Sequence, residues 1–252
     1  MVDGPPGNSF LFAMNLLITI CARGGSKGIP GKNVRLVNGT PLIVYTIRHA
    51  LAYAKKTGAD VELSTDDAKI KQIAAEVGLA TDYTRPPELS TDTAGKLETI
   101  QDAVLHAEKK HGKRYDYILD LDVTSPLRTM EDLDKAFRMI DGNLGARNLF
   151  SVSFPKHNPY FDMVELKEDG FVDLVKKPGK QMVTRQQGPR VYDMNASFYF
   201  YRRAFFDEVP LIIIKQTLAY EMPHMCFELD DMMEYELLDY LLREKKLDFL
   251  FS

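Results

Sequence analysis

An apolar run, Leu16-Leu-Ile-Thr-Ile20, opens directly into the loop Cys21-Ala-Arg-Gly-Gly-Ser-Lys-Gly-Ile-Pro-Gly-Lys-Asn33. The run is continuous rather than alternating, which is the pattern of a strand buried on both faces in a parallel sheet. The loop holds four glycines and three cations, Arg23, Lys27 and Lys32. Glycines let backbone N–H groups close on an anion, and the cations supply countercharge. A buried strand that ends this way is a polyanion cradle, and a nucleoside triphosphate is the ligand that fits. The bland alternative is a surface turn rich in glycine and lysine.

Two familiar phosphate loops do not match. The dinucleotide fingerprint needs a glycine where Arg23 stands. The Walker loop needs four residues between its glycines, whereas Gly25 and Gly31 are separated by five, and Asn33 stands where a hydroxyl should follow the lysine.

The rest of the chain alternates strand and helix. Helical spacing is expected over Pro41–Lys56, Ala68–Val77, Lys96–Lys110, Met130–Ile140 and Asp231–Glu244, with Asp66 or Asp67 capping the second helix and Asp231 the last. Strands are expected at Asn15–Cys21, Asp60–Ser64, Tyr115–Leu121 and Val191–Tyr201. This order predicts an α/β fold with a mostly parallel, Rossmann-like sheet and right-handed crossovers. Ligands of such sheets lie beyond the carboxyl ends of the strands, so the loops after Ile20, Leu63 and Leu121 should converge. The stretch from 147 to 190 has short β-rich runs broken by Pro155, Pro159, Gly170 and Pro178, and reads as a small antiparallel β insertion. Residues 1–13 read as a disordered tail and 14–252 as one domain.

A net charge of −4 argues against a nucleic-acid coat or an anionic membrane as partner, and the clustered cations favour a small anion. Two cysteines, Cys21 and Cys226, make no disulfide framework and suggest a reducing, cytoplasmic setting. No segment is long and apolar enough to span a bilayer. The five histidines show no metal-ligand spacing.

The segment Ala22–Asn33 resembles the opening signature of the cytidylyltransferases that activate nonulosonic acids, the sialic acid-like nine-carbon 2-keto acid sugars. The resemblance continues, in order, through Ser64-Thr-Asp66, Arg85-Pro86, Thr124-Ser-Pro-Leu-Arg128, Asn195-Ala-Ser-Phe-Tyr-Phe200 and Glu228-Leu-Asp230. It implies the fold of the nucleotide-diphospho-sugar transferases, CTP and a sugar acid as substrates, Mg²⁺ as cofactor, and a homodimer built through the 147–190 insertion, the lesser alternative being a hairpin that covers its own subunit. It places Ala22, Arg23, Gly24, Gly25, Ser26, Lys27, Lys32, Asn33, Arg85, Ala94 and Lys96 on CTP. Arg23, Lys27 and Asp230 are the implied catalytic group, with Asp230 and Glu228 on the metal.

The chain departs from the resembled pattern at Lys96, where a serine is usual, and at Asp122, where a glutamine is usual. Asp122 could take hydrogen bonds from sugar hydroxyls or amides, hold a metal, or cap the helix near Met130. Together with Asn158-Pro-Tyr-Phe161, Thr184-Arg-Gln186 and Tyr192-Asp-Met-Asn-Ala-Ser197, the Asp122 segment resembles the branch that activates N,N'-diacetyllegionaminic acid. Asp122, Thr124, Ser125, Arg185, Gln186, Tyr192 and Asn195 are then the candidate sugar contacts, with Arg185 clamping the carboxylate through two parallel hydrogen bonds. N-acetylneuraminic and pseudaminic acids stay open as substrates. A sugar-1-phosphate nucleotidylyltransferase and a non-enzymatic nucleotide-binding protein stay open as other classes.

Overall fold

The computed structural model describes residues 14–25, 28–177, 179, 188–208 and 211–250. Its core is a six-stranded sheet. Strand β1 (Leu16–Cys21) is buried along almost its whole length. A 3-10 turn at Lys32–Val34 and a two-residue hairpin, β2 (Leu36–Val37) and β3 (Thr40–Pro41), lead into helix α1 (Leu42–Thr57). Then come β4 (Asp60–Ser64), α2 (Ala68–Glu76), α3 (Lys96–His111), β5 (Tyr117–Leu121), α4 (Met130–Asp141) and β6 (Asn148–Ser153). The hairpin β7 (Val164–Leu166) and β8 (Val172–Leu174) precedes β9 (Asp193–Arg202), β10 (Thr217–Glu221) and α5 (Met232–Arg243).

The sheet order is β10-β6-β9-β5-β1-β4. Strand β1 pairs in parallel with β4 and β5, and β6 with β10, while β9 runs antiparallel between β5 and β6. The α/β sheet is therefore mostly parallel, as expected, with one reversed strand. Helix ends follow local chemistry. Asp67 caps α2 by accepting from the N–H groups of Lys69 and Ile70, and Thr129 and Asp231 open α4 and α5 through capping boxes.

Two expectations need correction. Asn148–Ser153 belongs to the central sheet rather than to the insertion, because it is buried on both faces between β9 and β10. The antiparallel element proper is the β7–β8 hairpin, whose side chains are mostly exposed. Glu228-Leu-Asp230, which its alternation suggests as a strand end just before the last helix, ends no strand: the last strand stops at Glu221, and residues 222–231 cross to α5 without sheet pairing. Strand β10 had no sequence signal, being a half-exposed edge strand. The 1–13 segment lies outside the described residues.

Candidate functional site

A cavity of about 290 Å³ opens at the carboxyl ends of β1, β4 and β5, where the parallel topology directs ligands. Its wall includes Arg23, Gly25, Lys32 and Asn33 from the first loop, Arg85, Ala94 and Lys96 from the segment leading into α3, Asp122 and Thr124 after β5, and Glu228. The expected loops after Ile20 and Leu121 line the cavity, while the loop after Leu63 lies behind it, joined to the first loop by the Gly24 N–H and to Arg85 through Ser64. Ser26, Lys27, Arg185 and Gln186 lie outside the described residues.

Two glycines of the first loop serve close packing. A Cβ on Gly24 would stand 2.6 Å from Asp67 Oδ2, and one on Gly28 would stand 2.8 Å from the Asp230 carbonyl. The Gly24 N–H donates to Asp66 Oδ1 at 2.9 Å. Ala22 is buried, and its N–H donates to the Ser64 carbonyl, extending the β1–β4 register by one bond. Glycine here draws the loop against two acidic segments as well as leaving it open to a ligand.

The cations are held in place. Arg23 Nη1 lies 2.8 Å from Asp92 Oδ1. Arg85 is buried and donates from Nε and Nη2 to the Ser64 hydroxyl and carbonyl at 3.0 and 2.7 Å, which locks a planar guanidinium against the end of β4. Lys32 Nζ donates to the Leu229 carbonyl at 2.5 Å and lies 4.0 Å from Asp230 Oδ1. Asn33 Nδ2 donates to the Arg23 carbonyl at 2.9 Å.

Lys96 and Asp122, the two departures from the resembled pattern, meet. Lys96 Nζ lies 2.7 Å from Asp122 Oδ2, 3.4 Å from Asp120 Oδ2 and 4.1 Å from the centre of the Tyr199 ring. Burial alone would raise the Asp122 carboxyl, but the Lys96 ammonium and the Thr124 donors pull it down to about 2. Burial would lower Lys96, and the carboxylates of Asp122 and Asp120 instead raise it well above its ordinary value. Asp120 was missed by the sequence reading. A partial signal was present, since Asp120 stands two residues before Asp122, which lies one residue past the end of β5.

The loop after β5 is pinned from beneath by Arg128, which is 0% exposed. Arg128 donates to the carbonyls of Asp122 and Ser125 and to the Ser197 hydroxyl. The Thr124 N–H and hydroxyl reach Asp122 Oδ1 at 2.9 and 2.8 Å, and the same hydroxyl oxygen lies 3.2 Å from Glu228 Oε1. The Glu228 carboxyl is pushed up by burial and by the neighbouring charges of Asp122 and Asp230. The Asp230 side chain is 74% exposed.

Three of the expected sugar contacts sit elsewhere. Ser125 is fully buried and donates to the Phe227 carbonyl. Asn195 is buried at an irregularity between β6 and β9, where Ala196 has φ +56° and Asn195 bonds Ser151 and Ser153. Both belong to the framework of this structure rather than to the cavity wall. Tyr192 lines a second cavity of about 630 Å³ with Phe154, Asn158 and Glu221.

Glu228 and Asp230 present hard oxygen donors, a pair that suits a divalent cation such as Mg²⁺, whereas both oxygens of Asp122 are taken by Lys96 and Thr124. Among the described residues, the one tight cluster of metal-ligand atoms is instead Glu62, Asp82 and His106. No helix among the described residues is long and apolar enough to cross a membrane, and Cys21 and Cys226 are both free.

The sequence model of the cytidylyltransferase family matches residues 17–250. The chain is 36% identical to post-translational flagellin modification protein B of Campylobacter coli over 92% of this chain and 97% of that protein. It is 33% identical to CMP-N,N'-diacetyllegionaminic acid synthase of Campylobacter jejuni, again over 92% and 97%. A solved structure of CMP:2-keto-3-deoxy-manno-octonic acid synthetase complexed with CTP superposes with a TM-score of 0.65 over 92% of this chain and 99% of that one, at 18% identity, which is a likeness of fold.

Proposed function

The chain belongs to the cytidylyltransferase family of nucleotidyltransferases, and on that premise we propose that it transfers CMP from CTP to the anomeric hydroxyl of a nonulosonic acid, N,N'-diacetyllegionaminic acid, releasing pyrophosphate. The observation that carries this reading is the cavity at the carboxyl ends of the parallel strands, which joins Arg23, Lys32 and Arg85 to the carboxylates of Asp122 and Glu228. The legionaminic acid synthase of C. jejuni, alike over nearly the whole of both chains, supports the choice of sugar.

In this reading the sugar's 2-hydroxyl attacks the α-phosphorus in line, the bond to the bridging oxygen breaks, and pyrophosphate leaves with the electron pair. Arg23 and Lys27 bind the phosphates and offset the charge that grows on the leaving group. Arg85 holds the nucleotide, and Arg185 takes the sugar carboxylate. Glu228 and Asp230 would hold Mg²⁺, which supplies charge neutralisation at the phosphates and lowers the pKa of a nearby hydroxyl. The reading includes a homodimer. Val164, Leu166, Phe171 and Val172 of the β7–β8 hairpin are exposed apolar residues of the kind a second copy would cover.

The test is pyrophosphate release from CTP and Mg²⁺ with N,N'-diacetyllegionaminic, N-acetylneuraminic and pseudaminic acids in parallel. Selective turnover of the first supports both reaction and sugar. Preference for another acid keeps the reaction and discards the assignment drawn from Asp122 and its neighbours. A sugar-1-phosphate used in place of all three would discard the whole reading.

A further inference from the structure

Lys96 is the first residue of α3, following a Gly95 N-cap that offers no side-chain cap. A cation there opposes the helix dipole and gains nothing locally. A residue that conflicts with its local structure points to a tertiary or functional reason, and here the reason is visible. The ammonium has three N–H donors, and three groups surround it: Asp122 at 2.7 Å, Asp120 at 3.4 Å and the face of Tyr199 at 4.1 Å. Asp122 is also committed, with Oδ2 taken by Lys96 and Oδ1 by the N–H and hydroxyl of Thr124.

We propose that Lys96 and Asp122 form one charge-compensated positioning unit, which sets affinity for the anionic nucleotide without either side chain reading a substrate. The unit has two tasks. It joins the 85–96 segment to the loop after β5, and Thr124 carries that link on to Glu228. It also neutralises carboxylates that line or underlie the cavity, where a polyphosphate would otherwise meet Asp120, Asp122 and Glu228 together. The proposal replaces the direct CTP contact expected of Lys96 and the direct sugar contact expected of Asp122. It rests on the reading that CTP is the nucleotide bound.

The physical signature is non-additivity. Removing one member of a buried pair leaves an uncompensated charge, whereas removing both can be nearly neutral. The experiment measures CTP binding by calorimetry, with no sugar present, for the wild type, K96M, D122N and K96M/D122N, each with a thermal melt. K96M should weaken CTP binding roughly tenfold or more and lower the melting temperature, because the carboxylates lose their cation. D122N cuts the link to the loop after β5 but leaves the ammonium on Asp120, so it should weaken CTP binding measurably and by less than K96M does. K96M/D122N should recover a measurable part of the K96M loss, because Asp122 no longer carries a bare charge while Asp120 keeps the Thr19 hydroxyl but not its cation. A double variant no better than K96M, or a K96M that binds like the wild type, overturns the unit. Should K96M fail to fold, the double variant decides: the proposal requires it to fold and to bind CTP within about tenfold of the wild type. A wild type that binds no CTP overturns the nucleotide reading itself, an outcome distinct from a wild type that binds while the variants fail to show the coupling.

Discussion

Among the described residues Arg128 bonds hydroxyl and carbonyl oxygens rather than a carboxylate, which makes its replacement an informative perturbation. Its guanidinium is fully buried and donates to the Ser197 hydroxyl at 3.0 Å, the Ser125 carbonyl at 2.6 Å and the Asp122 carbonyl. Burial pulls its pKa down to about 10, so it remains a cation at neutral pH. Hydrogen bonds from a charged donor contribute about 1.5–3 kcal/mol each, and each acceptor left bare in the interior costs about 1–3 kcal/mol. Against this, an Arg128→Met variant no longer has a charge to desolvate, which offsets part of the loss. The net expectation is a destabilisation of about 3–5 kcal/mol. For a chain of this size that corresponds to a fall in melting temperature of roughly 6–20 °C. The same change releases the loop that presents Asp122 and Thr124, so KM for CTP should rise in whatever fraction stays folded. Urea unfolding with a matched m-value, read alongside steady-state kinetics at a temperature well below the melt, checks both. A loss under about 1 kcal/mol with unchanged KM would refute the view that this buried cation pins the loop.

Gly28→Ala forces a Cβ to within 2.8 Å of the Asp230 carbonyl. Overpacking of this kind costs about 1–3 kcal/mol, and the displacement falls on a proposed metal-binding residue. Turnover should therefore drop while the circular dichroism spectrum is preserved, and a variant with wild-type turnover and melt would show that the loop yields freely. A pH dependence is expected from the pair of Asp132 and His224, whose Oδ2 and Nε2 lie 2.8 Å apart with the imidazole stacked on Phe249. Burial alone would lower the His224 pKa, but its bond to Asp132 raises it; burial would raise Asp132, and its bonds to His224 and Thr129 lower it. The His224 contribution is thus complete below the unfolded value of about 6.5 and is lost as pH rises through the raised folded value, while the Asp132 contribution is lost only as pH falls below the carboxylate range. Urea midpoints should decline as pH rises above about 6.5, and His224→Gln should flatten that decline; an unaltered slope in the variant assigns it to other groups.

Much of the architecture was legible because it follows from local rules. The continuous apolar run of β1 and the capping residues Asp67 and Asp231 mark their elements through nearest-neighbour chemistry. The cavity's cations were legible for a similar reason, since Arg23 and Lys32 stand in one short loop. Strand β10 and the membership of β6 in the main sheet were not. Strand pairing is a long-range choice, and an edge strand with one buried residue carries little periodicity. Ser125 and Asn195 occupy motif positions, yet motif membership does not separate a side chain that faces a ligand from one that holds the motif together.

The sequence by itself determined that this chain is an α/β protein with a cationic, glycine-rich loop after its first buried strand, because helix caps, glycine turns and buried strands leave signatures within a few residues. Tertiary structure alone decided how the charges are spent. Lys96 and Asp122 are 26 residues apart and meet at 2.7 Å, and Arg128 supports its loop through Ser197, 69 residues away. Each of these pairings depends on which strands lie side by side and how far their ends project. Coulomb and hydrogen-bond energies depend on distance and burial, and only the packed fold sets those.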